Sequence, residues 1–214
     1  TIDEFGYLAK HGALPELQEI IDEVTTKKLI LTGSSISLME SSFLEYKSPL
    51  YGRVDKILHL QPLRFRHLFE WFKKINFEDA VKIYAVTNGI PRYLEFFNKK
   101  NDVEQQIIRN FFEQTFLFYD ARKLLEEELK ETERYFAILE AIGNGKNTLN
   151  EIKAFTHIEY QSLPFYLQKL RRLKIIYRKF PLIGKKKTIY AIKDFYYAFW
   201  FRFVYPYEDE IDGG

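Results

Sequence analysis

Strand-like runs occur near both ends of this 214-residue chain and nowhere in its middle, which limits the folds open to it. At the start, Ile2 leads into the paired carboxylates Asp3-Glu4. KKLILTGSS (27–35) is a short apolar run stopped by Gly33 and two serines, and VDKILHL (54–60) is a third strand candidate. Short uninterrupted apolar runs of this kind suit buried parallel strands. Between them, Leu14, Leu17, Ile20, Ile21 and Val24 recur at helical spacings, which predicts an amphipathic helix over 14–25 with Pro15 tolerated in its first turn. Residues 36–45 read as a second helix, and Lys47 to Arg53, with Pro49 and Gly52, as a loop. Strand, helix, strand, helix, strand describes an α/β layer.

After Pro62 the pattern changes. Residues 64–74, 77–88, 91–99 and 102–130 carry helical periodicity, interrupted at Asn76, at Asn88-Gly89-Ile90-Pro91 and at Lys100-Asn101. They predict a small all-α domain. A further helix over 134–143 is closed by Gly143-Asn144-Gly145, and Thr148 with Glu151 three residues later forms a capping-box signature for the next. Beyond Tyr160, Leu163, Leu167, Leu170 and Leu173 must face a core, which turns Gln161, Lys169, Arg171 and Arg172 outward. Two β-prone runs follow, Ile175 to Phe180 and Thr188 to Ile192, around Pro181, Gly184 and three lysines. Three helices and a hairpin make the winged-helix plan, an α+β arrangement. The expected division is 1–63, 64–130 and 131–214.

The aromatic run Phe195 to Tyr207 closes the chain. It is too short and too polar to span a membrane, and reads as a cover for an apolar surface, a neighbouring domain or a docking site for a protein partner. Trp71, Trp200 and Met39 read as core. There is no cysteine, so disulfides and thiolate metal sites are excluded, which fits a reducing cytoplasm. The four histidines are scattered, with no pair at ligand spacing. Charge is uneven. Tyr160 to Lys193 holds ten Lys and Arg residues and no Asp or Glu, so the remaining residues carry −8 within an overall +2. A basic block on a near-neutral chain suits an anionic partner, or a solvated positive surface.

Four segments, IDEFGYL (2–8), LILTGSSISLME (29–40), SPLYGR (48–53) and NGIPRYL (88–94), follow one another in an order that resembles archaeal-type P-loop ATPases of the AAA+/STAND group. The resemblance covers nearly the whole chain. It implies a partial P-loop ATPase sheet, a helical lid and a C-terminal winged helix, acting as an ATP-hydrolysing switch with ATP and Mg2+. By that likeness Asp3 is the Mg2+ carboxylate, Glu4 the catalytic base, and Ser34 or Ser35 the residue that senses the γ-phosphate. Arg53 stands where the family has an arginine that faces a phosphate; a surface salt bridge is the competing reading. Gly89 and Pro91 belong to the lid motif near the adenine, or to a plain helix–helix turn. Arg92 is a candidate second sensor, or an exposed arginine at a helix start.

The departure from the family is the absence of any G-x-x-x-x-G-K-[ST] in these residues. The expectation is that phosphate-cradling sequence lies upstream, and that this part alone has no useful turnover. The basic block implies phosphate contacts to duplex DNA, through Lys169, Arg171, Arg172, Arg178, Lys185, Lys186 and Lys187, with Tyr160 and Gln161 placed to reach base edges. A DNA-binding module or a protein-interaction scaffold without a competent ATPase is the alternative.

Overall fold

The structure is a computed structural model and describes residues 1–23, 28–180 and 188–213. It divides into two compact units, Thr1–Leu60 and Gln61–Gly214.

The first unit holds three helices: α1 (Phe5–Lys10), α2 (Leu14–Glu23) and α3 (Ile36–Leu44). Phe5, Leu17, Phe43 and Leu50 form its core, with the Phe5 and Phe43 rings 5.0 Å apart. The expected sheet is reduced to one parallel bridge, Ile2 to Leu31. Its backbone pairing runs from Ile2 N to Ile30 O (2.8 Å), Thr32 N to Ile2 O (3.0 Å) and Phe5 N to Thr32 O (2.8 Å). The strand expected at 54–60 does not form. Ile57 and Leu58 are exposed and Leu60 is 94% exposed. An extended apolar run needs a neighbouring strand for its backbone groups, and none is formed beside it among the described residues.

The second unit is helical with one hairpin. A 3-10 turn (Phe65–His67) leads into α4 (Leu68–Trp71), followed by α5 (Phe77–Thr87), α6 (Pro91–Leu94), α7 (Val103–Phe112), α8 (Phe116–Glu128), α9 (Thr132–Gly143), α10 (Leu149–Thr156) and α11 (Leu163–Arg172). The hairpin β1 (Ile176–Lys179) and β2 (Ile189–Ile192) pairs antiparallel, Ile176 opposite Ile192 and Lys179 opposite Ile189. Then come α12 (Phe195–Phe199), a π-helical turn (Trp200–Val204), a 3-10 turn (Tyr205–Tyr207) and α13 (Glu208–Asp212).

Local chemistry accounts for several boundaries. Asn76 accepts from Asp79 N (2.8 Å) to start α5, and Asp102 accepts from Gln105 N (2.8 Å) to start α7. The capping box at α10 is complete, with Thr148 N donating to Glu151 Oε2 (2.9 Å) and Glu151 N to Thr148 Oγ1 (3.4 Å). The single helix expected over 102–130 is two, because Gln114 takes a left-handed conformation (φ 53°) between α7 and α8.

One hydrophobic core runs from Leu68 to Val204, so the helices on both sides of residue 130 share it. Leu163, Leu167, Leu170 and Leu173 are all buried in it. The aromatic run is divided: one face enters the core, while Phe195, Phe203 and Tyr207 stay exposed. Tyr196, Trp200, Phe201 and Val204 are fully buried, and the recurrence of Tyr196, Trp200 and Val204 every four residues places them on one helical face. Their polar tips are satisfied: Tyr196 OH donates to Leu117 O (2.9 Å) and Trp200 Nε1 to Phe118 O (2.8 Å). Trp71, expected in the core, is 42% exposed and lines a shallow groove with Phe97, Asn98 and Lys100.

Candidate functional site

In the first unit the parallel pairing sets the geometry. Ile2 and Leu31 pack toward the small core, so the next residue on each segment, Asp3 and Thr32, turns outward beside the other. The Thr32 hydroxyl donates to Asp3 Oδ1, which also accepts from Glu4 N at 3.1 Å. Glu4 follows in a left-handed conformation (φ 49°, ψ 47°) as the N-cap of α1, and Phe5 behind it is fully buried. Two carboxylates and a hydroxyl are thus presented to solvent on a backbone fixed by Phe5.

The serines expected as sensors divide. Ser35 is the N-cap of α3 and accepts from Leu38 N at 3.2 Å, so its oxygen serves the helix. Ser34 is exposed in the turn before it. Thr32 is the polar side chain that meets Asp3, and sequence reasoning passed over it. The signal was its place as the last residue of the apolar run, in register with Asp3.

Among the described residues no group of three or more His, Asp or Glu side chains could enclose a metal. One carboxylate with an adjacent hydroxyl fits an ion that keeps several waters and takes its other ligands from phosphate oxygens, as Mg2+ does. It does not fit a closed metal cage.

Arg53 is engaged elsewhere. Its guanidinium makes a fork with Asp22, Nε to Oδ1 at 2.7 Å and NH2 to Oδ2 at 2.8 Å, and NH1 reaches Pro49 O at 3.0 Å. That hydrogen bond holds the Asp22 carboxyl below its ordinary value. The competing salt-bridge reading therefore describes Arg53 in this structure.

The NGIP turn lies in the second unit. Asn88 and Gly89 both take positive φ, 53° and 72°. A Cβ at Gly89 would overlap the Leu63 carbonyl oxygen and lie 2.8 Å from the Tyr84 ring. Gly89 O accepts from Leu63 N (2.9 Å), and Pro91 opens α6 in its first turn. Arg92 pairs with Glu95 at 2.7 Å and lies over the rings of Phe96 (5.3 Å) and Phe116 (5.4 Å).

On the C-terminal side, Arg171 and Arg172 are exposed, as the leucine spacing requires, and Arg178 is exposed on β1, whereas Lys169 is half-buried rather than fully outward. Tyr160 and Gln161 are exposed in the turn before α11. Lys185, Lys186 and Lys187 lie outside the described residues. Sequence reasoning missed Phe165, which is 66% exposed in the first turn of α11, and Tyr177, 38% exposed on the hairpin with the Lys179 ammonium 5.3 Å from its ring.

No protein-family model matches the chain. It is 40% identical over 223 residues to the uncharacterized protein MJECL04 of Methanocaldococcus jannaschii, an alignment that takes in 100% of this chain and 50% of that protein. The chain thus spans about half the length of the curated relative it matches. Its fold is similar to that of the Walker-type ATPase PABY2304 of Pyrococcus abyssi, with a TM-score of 0.67 and 22% identity over 94% of this chain and 61% of that one. No helix among the described residues is long and apolar enough to cross a membrane.

Proposed function

We propose that Asp3, Glu4 and Thr32 form the carboxylate-and-hydroxyl half of a nucleoside triphosphate hydrolysis site of the P-loop type. The observation that supports this is the parallel pairing of Ile2 with Leu31, which sets Asp3 and the Thr32 hydroxyl side by side at the ends of neighbouring extended segments. The fold likeness to a Walker-type ATPase points the same way. Asp3 would hold Mg2+ through water, an ion that neutralises charge on the β- and γ-phosphates when bound. A Glu4 carboxylate oxygen takes the proton of the water that attacks the γ-phosphorus, as the bond to the β–γ bridging oxygen breaks. Thr32 holds Asp3 in position, and Ser34 or Ser35 is read as the residue that senses the γ-phosphate. Gly89 and Pro91 are read as the lid turn. Arg53 and Arg92 are paired with Asp22 and Glu95.

The test is ATP binding and turnover by the complete gene product. Glu4→Gln should retain ATP binding and hydrolyse it about 100-fold or more slowly. Unchanged turnover in Glu4→Gln, or no ATP binding by the native protein, would overturn the assignment.

A second reading concerns the C-terminal helices and hairpin, read as a winged helix whose basic face contacts nucleic-acid phosphates. It is favoured by the burial of all four leucines of α11 and its edge, which leaves Arg171 and Arg172 on the exposed side, and by the exposure of Arg178 on β1. Binding measured at two salt concentrations tests it, since phosphate contacts weaken steeply with salt.

A further inference from the structure

The side chains that α11 and the hairpin expose are not those of a base-edge reader. A recognition helix in a major groove presents Arg, Asn, Gln or Lys from its first turns to donors and acceptors on the bases. The first turn of α11 instead exposes Pro164 and Phe165, and Phe165 is 66% exposed. The ring lies edge-to-face with Tyr166, at 5.5 Å between centroids and 81° between planes, and Tyr166 is itself held by Arg134. Phe165 is thus a largely exposed ring on a braced neighbour. By helical spacing Arg172 lies on the same stripe two turns on, and Arg171 is exposed beside it at the end of the helix.

The hairpin repeats the combination. Tyr177 and Lys179 alternate onto one face of β1, with the Lys179 ammonium 5.3 Å from the Tyr177 ring. No Asp or Glu interrupts the stretch from Tyr160 to Lys193. Exposed aromatic faces interleaved with cations are costly to leave in water and poor at reading paired bases. They match a strand whose bases are unstacked and whose phosphates run alongside.

Resting on the nucleic-acid reading above, we propose that this face binds single-stranded nucleic acid, with Phe165 as a base-stacking platform and Arg171, Arg172 and Lys179 along the backbone. Recognition is then tolerant of sequence, because every base offers a π face.

The experiment is fluorescence anisotropy of this chain with a labelled oligo-dT strand and with the corresponding dA·dT duplex, at two salt concentrations. The single strand should bind more tightly than the duplex. Phe165→Ala should weaken single-strand binding by roughly 5- to 100-fold, the range that loss of one stacked base predicts, with the salt slope unchanged. Phe165→Trp should preserve it. Arg171→Ala with Lys179→Ala should flatten the salt slope. Circular dichroism melting of each variant separates loss of binding from loss of fold, and Phe165 is too exposed for its truncation to open the core. Tighter binding of the duplex, or equal affinity in Phe165→Ala, would overturn the single-strand proposal while leaving the phosphate contacts in place. Absence of salt-dependent binding to either form would overturn the nucleic-acid reading with it.

Discussion

Asn88 and Asp194, 106 positions apart, hold each other across the second unit. The Asn88 amide donates to Asp194 Oδ2 at 3.0 Å, and its oxygen accepts from the Phe195 backbone N–H at 3.3 Å. Asp194 is also the N-cap of α12, accepting from Tyr196 N at 2.8 Å and Tyr197 N at 3.4 Å. One side chain therefore ties the NGIP turn to the helix that carries Tyr196 into the core.

This junction gives a pH dependence. Burial pushes the Asp194 carboxyl up from 3.8 to about 6, against the lowering effect of the Tyr196 and Tyr197 N–H groups, Asn88 and Lys193. A carboxyl whose folded value lies above its unfolded value binds its proton more tightly in the folded state. Its contribution is complete below about pH 4 and is lost as pH rises through 6, a change on the order of 2–3 kcal/mol. In urea unfolding across pH 4–7, the native chain should lose this increment relative to Asp194→Asn, which cannot ionise. Parallel pH profiles for the two would refute the assignment.

Gly89 is the stricter requirement of the same turn. Its φ of 72° disfavours any Cβ, and the space a Cβ needs is taken by the Leu63 carbonyl and the Tyr84 ring. Tyr84 OH also donates to Leu63 O at 3.1 Å, so neither neighbour is free to withdraw. Gly89→Ala should destabilise the second unit by about 2 kcal/mol or more, from left-handed strain together with overpacking. A shift in the thermal midpoint no larger than that of an exposed-helix Ala control would show that the turn opens instead.

How much of this was legible in the sequence depended on how local each cause is. The leucines of α11 and the Thr148–Glu151 box needed only spacing and capping chemistry, and both are as expected. The strand at 54–60 had the right residues, but a strand is made by its neighbour, and no partner lies beside it among the described residues. The aromatic run was legible as a cover for apolar surface, but composition does not reveal that Tyr196 and Trp200 find acceptors on α8, some 80 residues earlier. Asp3 was legible as a motif, whereas its partner Thr32 required the parallel register. Phe165 could have been placed outward by the same leucine spacing, but attention to polar and charged residues passed over it.

Tyr93 and Asp120 form the polar pair inside the shared core. The Tyr93 hydroxyl donates to Asp120 Oδ2 at 2.6 Å, while the Tyr93 ring packs 4.5 Å from Tyr196. Burial raises the Asp120 carboxyl and the Tyr93 hydroxyl lowers it. Tyr93→Phe should cost about 1–3 kcal/mol by leaving a buried carboxylate without its donor, and should raise the Asp120 value further. Asp120→Asn keeps an acceptor oxygen and should cost less. Chemical unfolding of both single variants and the double variant reads the coupling, and additive losses would mean that the pair is not an energetic unit.

Thr32→Val separates the proposed positioning role from folding. Valine has nearly the shape of threonine and suits an extended segment, so the backbone bonds from Thr32 to Ile2 and Phe5 should persist. Because Thr32 and Asp3 are both exposed, losing the hydroxyl leaves no buried orphan, and the melting temperature should change little. Asp3 would keep the Glu4 N–H as its remaining donor, and its carboxylate would rotate more freely. In the complete gene product, Thr32→Val should lower ATP turnover by about tenfold or more with little change in ATP affinity, since the lost hydroxyl orients a carboxylate rather than binding the base. Thr32→Ser should recover most of the activity because it restores the donor to Asp3. Equal turnover in Thr32→Val and native protein would assign the hydroxyl to local structure alone, whereas loss in both the Val and the Ser variant would mean that the hydroxyl and the methyl are both required.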